Sequence, residues 1–212
     1  LLEKPQKVVY LEIQEKTSVN DLKLLTHRDW EEKVLSSWQI GEKTAQEKLL
    51  KFIDSKLDNY KKGRDYPAIQ TTSILSPHLH FGEISPQQIW HEIETLEPTD
   101  HTACFLSELV WREFAYYILY HFPTLPDVNL NTKFNGFPWN NNIAFQNAWT
   151  KGKTGIPIVD AGMRELWQTG TMHNRVRMIV ASFLIKNLGQ DWRFGKNWFD
   201  ACLFDADLAS NS

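Results

Sequence analysis

The sequence is poor in cysteine and methionine, has no long hydrophobic run, and carries little excess of either charge. Its two cysteines, Cys104 and Cys202, stand in apolar surroundings. They read as buried thiols of a reducing compartment, the cytoplasm, and a disulfide scaffold is excluded. No apolar stretch approaches the roughly 20 residues that cross a bilayer, so a helical span is excluded and no membrane partner is expected. The N-terminus, Leu1-Leu2-Glu3-Lys4-Pro5, is charged and unlike a signal peptide. It also lacks an initiator Met, so the chain reads as a piece of a longer one. A net charge of −3 rules out a globally basic nucleic-acid binder but leaves room for a local basic patch. A Walker loop, a Rossmann glycine set and a nucleophile elbow are all missing, which removes familiar phosphate-binding and acyl-transfer signatures.

Aromatic side chains are abundant. Nine Trp and twelve Phe contribute to an aromatic content of 13%, and most are expected to fill a core. The 212 residues suffice for one large domain or a domain with an extension. Residues 1 to about 22 are mixed, with a strand-like piece at Val8-Val9-Tyr10-Leu11-Glu12-Ile13. From Trp30 onward the pattern is helical. Ala45, Leu49, Phe52, Ile53 and Leu57 form a stripe over 42–57. Tyr60 to Pro67 reads as a basic turn. Ser76-Pro77 and Ser85-Pro86 each set a capping residue before a proline, and Gln88 completes a capping box with Ser85. A longer helix runs from Asp100 to His121. Residues 123–141 form a loop rich in Pro, Asn and Gly. Asn142 caps a short helix to Trp149, Pro157 opens one to Gln168, and further helices start at Met172 and Trp192. The expected fold is all-α, with no strand after residue 25 and no repeat.

Three segments carry candidate chemistry. In Met172-His173-Asn174-Arg175-Val176-Arg177-Met178, two arginines and an amide lead into the apolar run Ile179 to Leu184. A guanidinium there demands an anionic partner. Asp205-Ala206-Asp207 could supply it, or could lie in a solvated tail; a calcium loop lacks further oxygen ligands. In Ser107-Glu108-Leu109-Val110-Trp111-Arg112-Glu113-Phe114, Glu108, Trp111, Arg112 and Tyr116 share a helix face. They could read a nucleobase by hydrogen bond, stacking and phosphate contact, or form a salt bridge beside a core Trp. Thr71-Thr72-Ser73-Ile74-Leu75-Ser76-Pro77 could bind an anion through hydroxyls and amides, or be a capped turn. His78 and His80 lack partners for a metal and read as structural.

Together these segments resemble the flavin-binding helical domain of the photolyase/cryptochrome family. The resemblance covers about residues 25 to 212. It also rests on Tyr60 with Arg64-Asp65-Tyr66-Pro67 and on Lys153 to Arg164. The Met-His-Asn-Arg-Val-Arg-Met form is most similar to the microbial branch that repairs cyclobutane pyrimidine dimers. The resemblance implies an FAD cofactor, with Tyr60 and Thr72, Ser73, Ile74, Leu75 and Ser76 at its phosphates. Asp205 and Asp207 would lie at the flavin and ribose end, Arg177 would pair with Asp205, and Asn211 would sit beside the flavin N5 and tune it. Phe105 stands where the family has a flavin-side Trp. Glu108 and Asn174 would hydrogen-bond a flipped dimer, Trp111 would stack on it and Met178 would line its pocket. Arg64, Arg112 and Arg175 would follow the DNA phosphates. Trp192 and Trp139 match members of the tryptophan chain that photoreduces the flavin.

The implied activity is light-driven dimer repair: reduced, excited flavin lends one electron, the ring opens and the electron returns. Damaged DNA is the implied partner, and a monomer is expected. Thr171 replaces a common Trp. An N-terminal α/β domain with an antenna pigment would precede residue 26, residues 1–25 being its connection. Further tryptophans and part of the flavin pocket would follow Ser212. The chain alone is therefore expected to hold FAD weakly and not to repair DNA unaided. A cryptochrome-like photoreceptor is the rival reading, separated by the presence of Glu108, Trp111, Asn174 and Met178. A cofactor-free helical DNA-binding domain would explain the arginines but not Asp205 and Asp207.

Overall fold

The computed structural model describes residues 18–22, 29–36 and 38–211. The strand-like Val8 to Ile13 lies outside them. Among the described residues there is no strand. The helices are α1 (Asp29–Leu35), α2 (Glu42–Ser55), α3 (Tyr60–Gly63), α4 (Ser76–His80), α5 (Pro86–Glu94), α6 (Asp100–His121), α7 (Ile143–Thr150), α8 (Pro157–Thr169), α9 (Asn174–Ser182) and α10 (Trp192–Cys202).

Local chemistry sets most boundaries. Ser85 and Gln88 complete their capping box at α5, and Thr99 with Thr102 does the same at α6. The Asn142 carboxamide accepts the Ala144 and Phe145 amides at 2.9 and 3.3 Å and so starts α7. Gly170 ends α8 at φ 68°, where a side chain would also meet the Phe204 ring at 2.9 Å.

Four expectations shift. The basic turn contains one helical turn, α3, because Leu57 and Tyr60 are buried and pull the chain inward. Helix α4 takes Ser76 as its first residue rather than its cap. It is short because Gly82 follows at φ 70° and breaks it. Helix α9 starts at Asn174, not Met172, since the His173 ring turns back to accept the Arg175 amide at 3.2 Å. It then widens into a π-turn over Phe183–Asn187, where the Leu188 amide reaches the Phe183 carbonyl at 3.1 Å.

Two apolar clusters form. One gathers Leu49, Phe52, Tyr60, Ile89, Phe105 and Leu109 from α2, α3, α5 and α6. The other gathers Trp149, Met163, Val176, Val180, Leu184 and Phe199 from α7 to α10. Helix α6 is about 33 Å long, and only its first half touches the first cluster. Its second half departs from the core expectation: Trp111 is 63% and Tyr120 82% exposed.

Gly162 lets α8 and α9 approach closely. A Cβ there would stand 2.3 Å from Val176 Cγ1. Gly162→Ala is expected to cost about 1–3 kcal/mol by overpacking, read as a lower urea midpoint with an unchanged slope.

Candidate functional site

The two clusters meet along a seam bridged mainly by polar and aromatic contacts. Arg175 on α9 donates to Asp65 at 2.7 Å. The Tyr116 hydroxyl on α6 donates to Asp207. His80, at the end of α4, lies 4.0 Å from Asp207. Trp38 packs between His78 and Phe204, at 5.3 and 5.7 Å between centroids. The loop that follows α10 is thereby pressed against α4 and α6.

Arg177 projects from α9 into this seam. It donates through Nε to the Met172 carbonyl and through Nη2 to Asp205 Oδ2, both at 2.8 Å. The Asp205 side chain is only 5% exposed, and its other oxygen, Oδ1, is buried without a partner. Asp207 is set differently. Burial alone would raise its carboxyl pKa. Hydrogen bonds from Tyr116, Ser210 and Ala209 outweigh that and hold it below the usual value. The Asn211 amide donates to the Asp207 carbonyl at 3.0 Å, while its side-chain Nδ2 is buried and unpaired.

The turn from Thr71 to Ser76 leads into α4, whose last residue is the His80 that lies beside Asp207. Ile74 adopts φ 54°, a left-handed conformation costly for a β-branched residue and usually retained for a functional reason. The backbone N–H groups of Thr72, Ser73, Ile74 and Leu75 have no acceptor among the described residues. Thr71 packs on Gly63, where a Cβ would meet Thr71 Cγ2 at 2.4 Å, and its hydroxyl is buried without a partner. Leu75 is buried, whereas Ser76 is exposed.

The remaining candidates do not form a single set. Arg64 pairs with Glu108 and donates to Cys104 Sγ at 3.4 Å. Asn174 and Met178 are exposed nearby in sequence on α9, with Met178 Sδ 3.6 Å from Arg175 Nη1. Met178 also lines a groove with Ile156, Val159, Ile179 and Phe183. Arg112 stands apart from Arg64 and Arg175. Its guanidinium lies over the Tyr116 ring at 4.8 Å, on the Asp207 side. Tyr60 and Phe105 meet edge to face at 5.2 Å within the first cluster, and burial pushes the Tyr60 hydroxyl up to about 12. Trp192 opens α10 and donates to Asn129 at 2.8 Å. Trp139 packs on Phe137 at 4.4 Å.

Sequence reasoning passed over two partners. Asp65 sits beside Arg64 without a role of its own in the sequence, and Asn129 lies in the long loop; neither offers a local signal for a contact so distant in sequence. His78 has a structural setting, fully buried between Lys48 at 3.0 Å and Glu83 at 2.5 Å. No group of three metal-ligating side chains occurs among the described residues.

The profile of the FAD binding domain of DNA photolyase matches residues 105–212. The chain belongs to the photolyase/cryptochrome family. It is 52% identical over 198 residues to a deoxyribodipyrimidine photo-lyase of Agrobacterium fabrum, covering 92% of this chain and 41% of that protein. It is 40% identical over 182 residues to cryptochrome-2 of Arabidopsis thaliana, covering 81% and 30%. A crystal structure of a bacterial class III photolyase from Agrobacterium tumefaciens superposes with a TM-score of 0.87 at 50% identity, covering 93% of this chain and 42% of that one. The chain thus spans about 41% of the length of the first of these relatives.

The seam suits the family's flavin nucleotide. Thr71 Oγ1, Asp205 Oδ1, Asn211 Nδ2 and His173 Nε2 are buried and unpaired, a mixed set of donors and acceptors in a molecule where such atoms are normally satisfied. Burial foremost, then Arg175, Arg177 and Arg64, lowers the His173 pKa. The neutral ring accepts at Nδ1 and keeps a proton on Nε2.

Arg177→Met would leave Asp205 charged, buried and unpaired. A loss of about 3–5 kcal/mol is expected, with much of it recovered by adding Asp205→Leu; urea unfolding of the single and double variants checks this. Asp207 has its pKa lowered on folding. It therefore stabilises above pH of about 4, and this is lost as pH falls through the lowered value. Tyr116→Phe should shrink that acid-side loss in unfolding curves taken from neutral pH downward.

Proposed function

We propose that this chain forms the cofactor- and lesion-binding part of an enzyme that repairs cyclobutane pyrimidine dimers in DNA with light. The observation that carries the reading is the seam itself: a buried Arg177–Asp205 pair, unpaired polar atoms at Thr71, Asp205 and Asn211, and a strained turn with free amides opposite. When bound in its reduced form, FAD supplies the light-driven donation of one electron to the dimer.

The chain's own residues do the rest. The amides and hydroxyls of Thr72 to Ser76, with Tyr60, hold the pyrophosphate. Asp205 and Asp207 would lie toward the flavin and ribose end, and Arg177 holds the Asp205 side chain in place. The unpaired Asn211 side-chain amide would supply a donor to the flavin, and Phe105 backs the site from the core. Glu108 and Asn174 take the hydrogen bonds of the flipped dimer. Trp111, already exposed, offers a stacking face, and Met178 borders the pocket. Arg64 and Arg175 meet DNA phosphates once Glu108 and Asp65 release or share them, and Arg112 serves the same strand from the Tyr116 side. Trp192 and Trp139 are the residues of this chain that would serve as electron donors to the bound flavin.

The whole protein is read as a monomeric cytoplasmic enzyme with an α/β antenna domain and pigment before residue 26. The second reading, a cryptochrome-like photoreceptor, draws on the likeness to cryptochrome-2. It is disfavoured because Glu108, Asn174 and Trp111 are together present to face a dimer.

Two measurements test this. Titrating the chain with FAD should give weak, saturable binding that Asp205→Asn weakens by about tenfold, the worth of one charged hydrogen bond. Duplex DNA with one dimer should bind more tightly than undamaged duplex, and Glu108→Ala should abolish the preference. Equal affinity for both duplexes would sink the repair reading and leave the photoreceptor one.

A further inference from the structure

Helix α9 carries more than the lesion-facing Asn174 and Met178. Every fourth residue of a helix returns to nearly the same side, so their stripe continues to Ser182, beside a second stripe from Arg175 through Ile179. The π-turn that follows keeps Phe183, Lys186 and Asn187 on that side. The start of α8 supplies the opposite wall through Ile156 and Val159. Between the walls lies an open groove of about 640 Å³, within the ~300–1,000 Å³ of small-ligand sites. Met178 belongs both to this groove and to the proposed lesion pocket, so the two are continuous.

The polar groups of the groove are not engaged by the protein. The Ser182 hydroxyl, the Lys186 ammonium and the Asn187 carboxamide have no side-chain partner among the described residues. No carboxylate stands among the lining residues. Cations mark both ends. Arg175 places Nη1 at 3.6 Å from Met178 Sδ, and Lys186 follows roughly 15 Å along the helix axis. Widened turns such as Phe183–Asn187 are frequent at functional sites.

An aromatic ring, a thioether, a hydroxyl, a carboxamide and flanking cations together match one ligand chemistry. A nucleobase stacks on the ring and the sulfur, its edge takes the hydroxyl and the carboxamide, and its phosphate takes the ammonium. A purely apolar occupant would bury Ser182 without a partner. We propose that this groove seats the undamaged nucleotide next to the dimer, its base against Phe183 and its far phosphate on Lys186. The inference rests on the reading of Asn174 and Met178 as lesion contacts. Flipping a dimer unstacks its neighbour too, and a second stacking site offsets part of that cost. The groove leaves the lesion pocket in one direction along α9, so it serves the strand on one side of the dimer only.

The test binds short single strands to the purified chain, with affinities read by fluorescence anisotropy in competition. The strands are the bare thymine-dimer dinucleotide and the dimer extended by thymidylates on its 5′ side or on its 3′ side. Only one extension is expected to tighten binding, by about tenfold, the lower end for a stacked base. Ser182→Trp, which fills the groove, should remove that gain and leave the affinity of the dinucleotide unchanged. Lys186→Gln should lower the salt slope of the favoured strand by about 0.7, the share of one single-strand phosphate. Lys43→Gln, on α2 in the other cluster, should leave the slope as it is. An equal gain from both extensions, or a gain and slope that Ser182→Trp and Lys186→Gln leave intact, overturns the groove and leaves the lesion reading standing. The favoured strand without its dimer separates the two readings. Undiminished affinity for it overturns the lesion reading, whereas the effect of Lys186→Gln on its salt slope still decides the groove. Should Ser182→Trp fold poorly, Lys186→Gln carries the test, because Lys186 is exposed.

Discussion

The seam depends on one ion pair. Arg177 reaches Asp205 from a helix that is itself fixed by close packing of Val176 on Gly162. Taking both charges out of water is costly, and their attraction offsets the cost only if the remaining lone pairs and protons find partners. Arg177 meets that condition through the Met172 carbonyl. Asp205 does not, because Oδ1 is left bare. A buried carboxylate half-satisfied by protein is a standing demand for a donor from outside, and the surrounding geometry is organised around that demand. The Gly170–Phe204 contact fixes where the loop begins, and the Asp207 hydrogen bonds fix how it turns.

Two apolar clusters, rather than one, explain why the demand persists. Each cluster closes on its own helices, and the space between them is crossed by Arg175–Asp65, Tyr116–Asp207 and the Trp38 rings. Apolar packing would have sealed such a boundary. Polar contacts leave it wettable and able to receive a ligand with phosphates at one end and a heterocycle at the other. The family relationship agrees with that division of labour.

Much of this is legible from residue order. Capping signals at Ser85, Asn142 and Pro157 and the stripe through Leu49 and Phe52 place most helices, because those signals act within a turn of chain. A guanidinium leading an apolar helix announces that an anion must be near, and Asp205 is a candidate from residue order alone. The contacts that escape are those set by tertiary approach. Nothing around Asp65 points to Arg175, and nothing around Asn129 points to Trp192. The left-handed Ile74 is hidden too, since a β-branched residue gives no hint of positive φ. The core reading of the aromatics fails on the second half of α6, where periodicity gives a helix but not the neighbours that would cover it.

The π-turn at Phe183–Asn187 has a consequence for how the chain tolerates change. It holds one residue more than an α-helical turn would. Losing that residue would wind the segment back into α-helix with the chain beyond it still in phase, because five residues of the wider turn sweep about the same angle as four of the narrower one. Leu184, wholly enclosed and lying where a side chain on Gly195 would stand, is the residue that would have to repack. The extra residue therefore acts as local slack: the face that carries Arg177 and the lead into Trp192 can keep their relation through the loss of one position in this turn, whereas the loss of a second would dephase them.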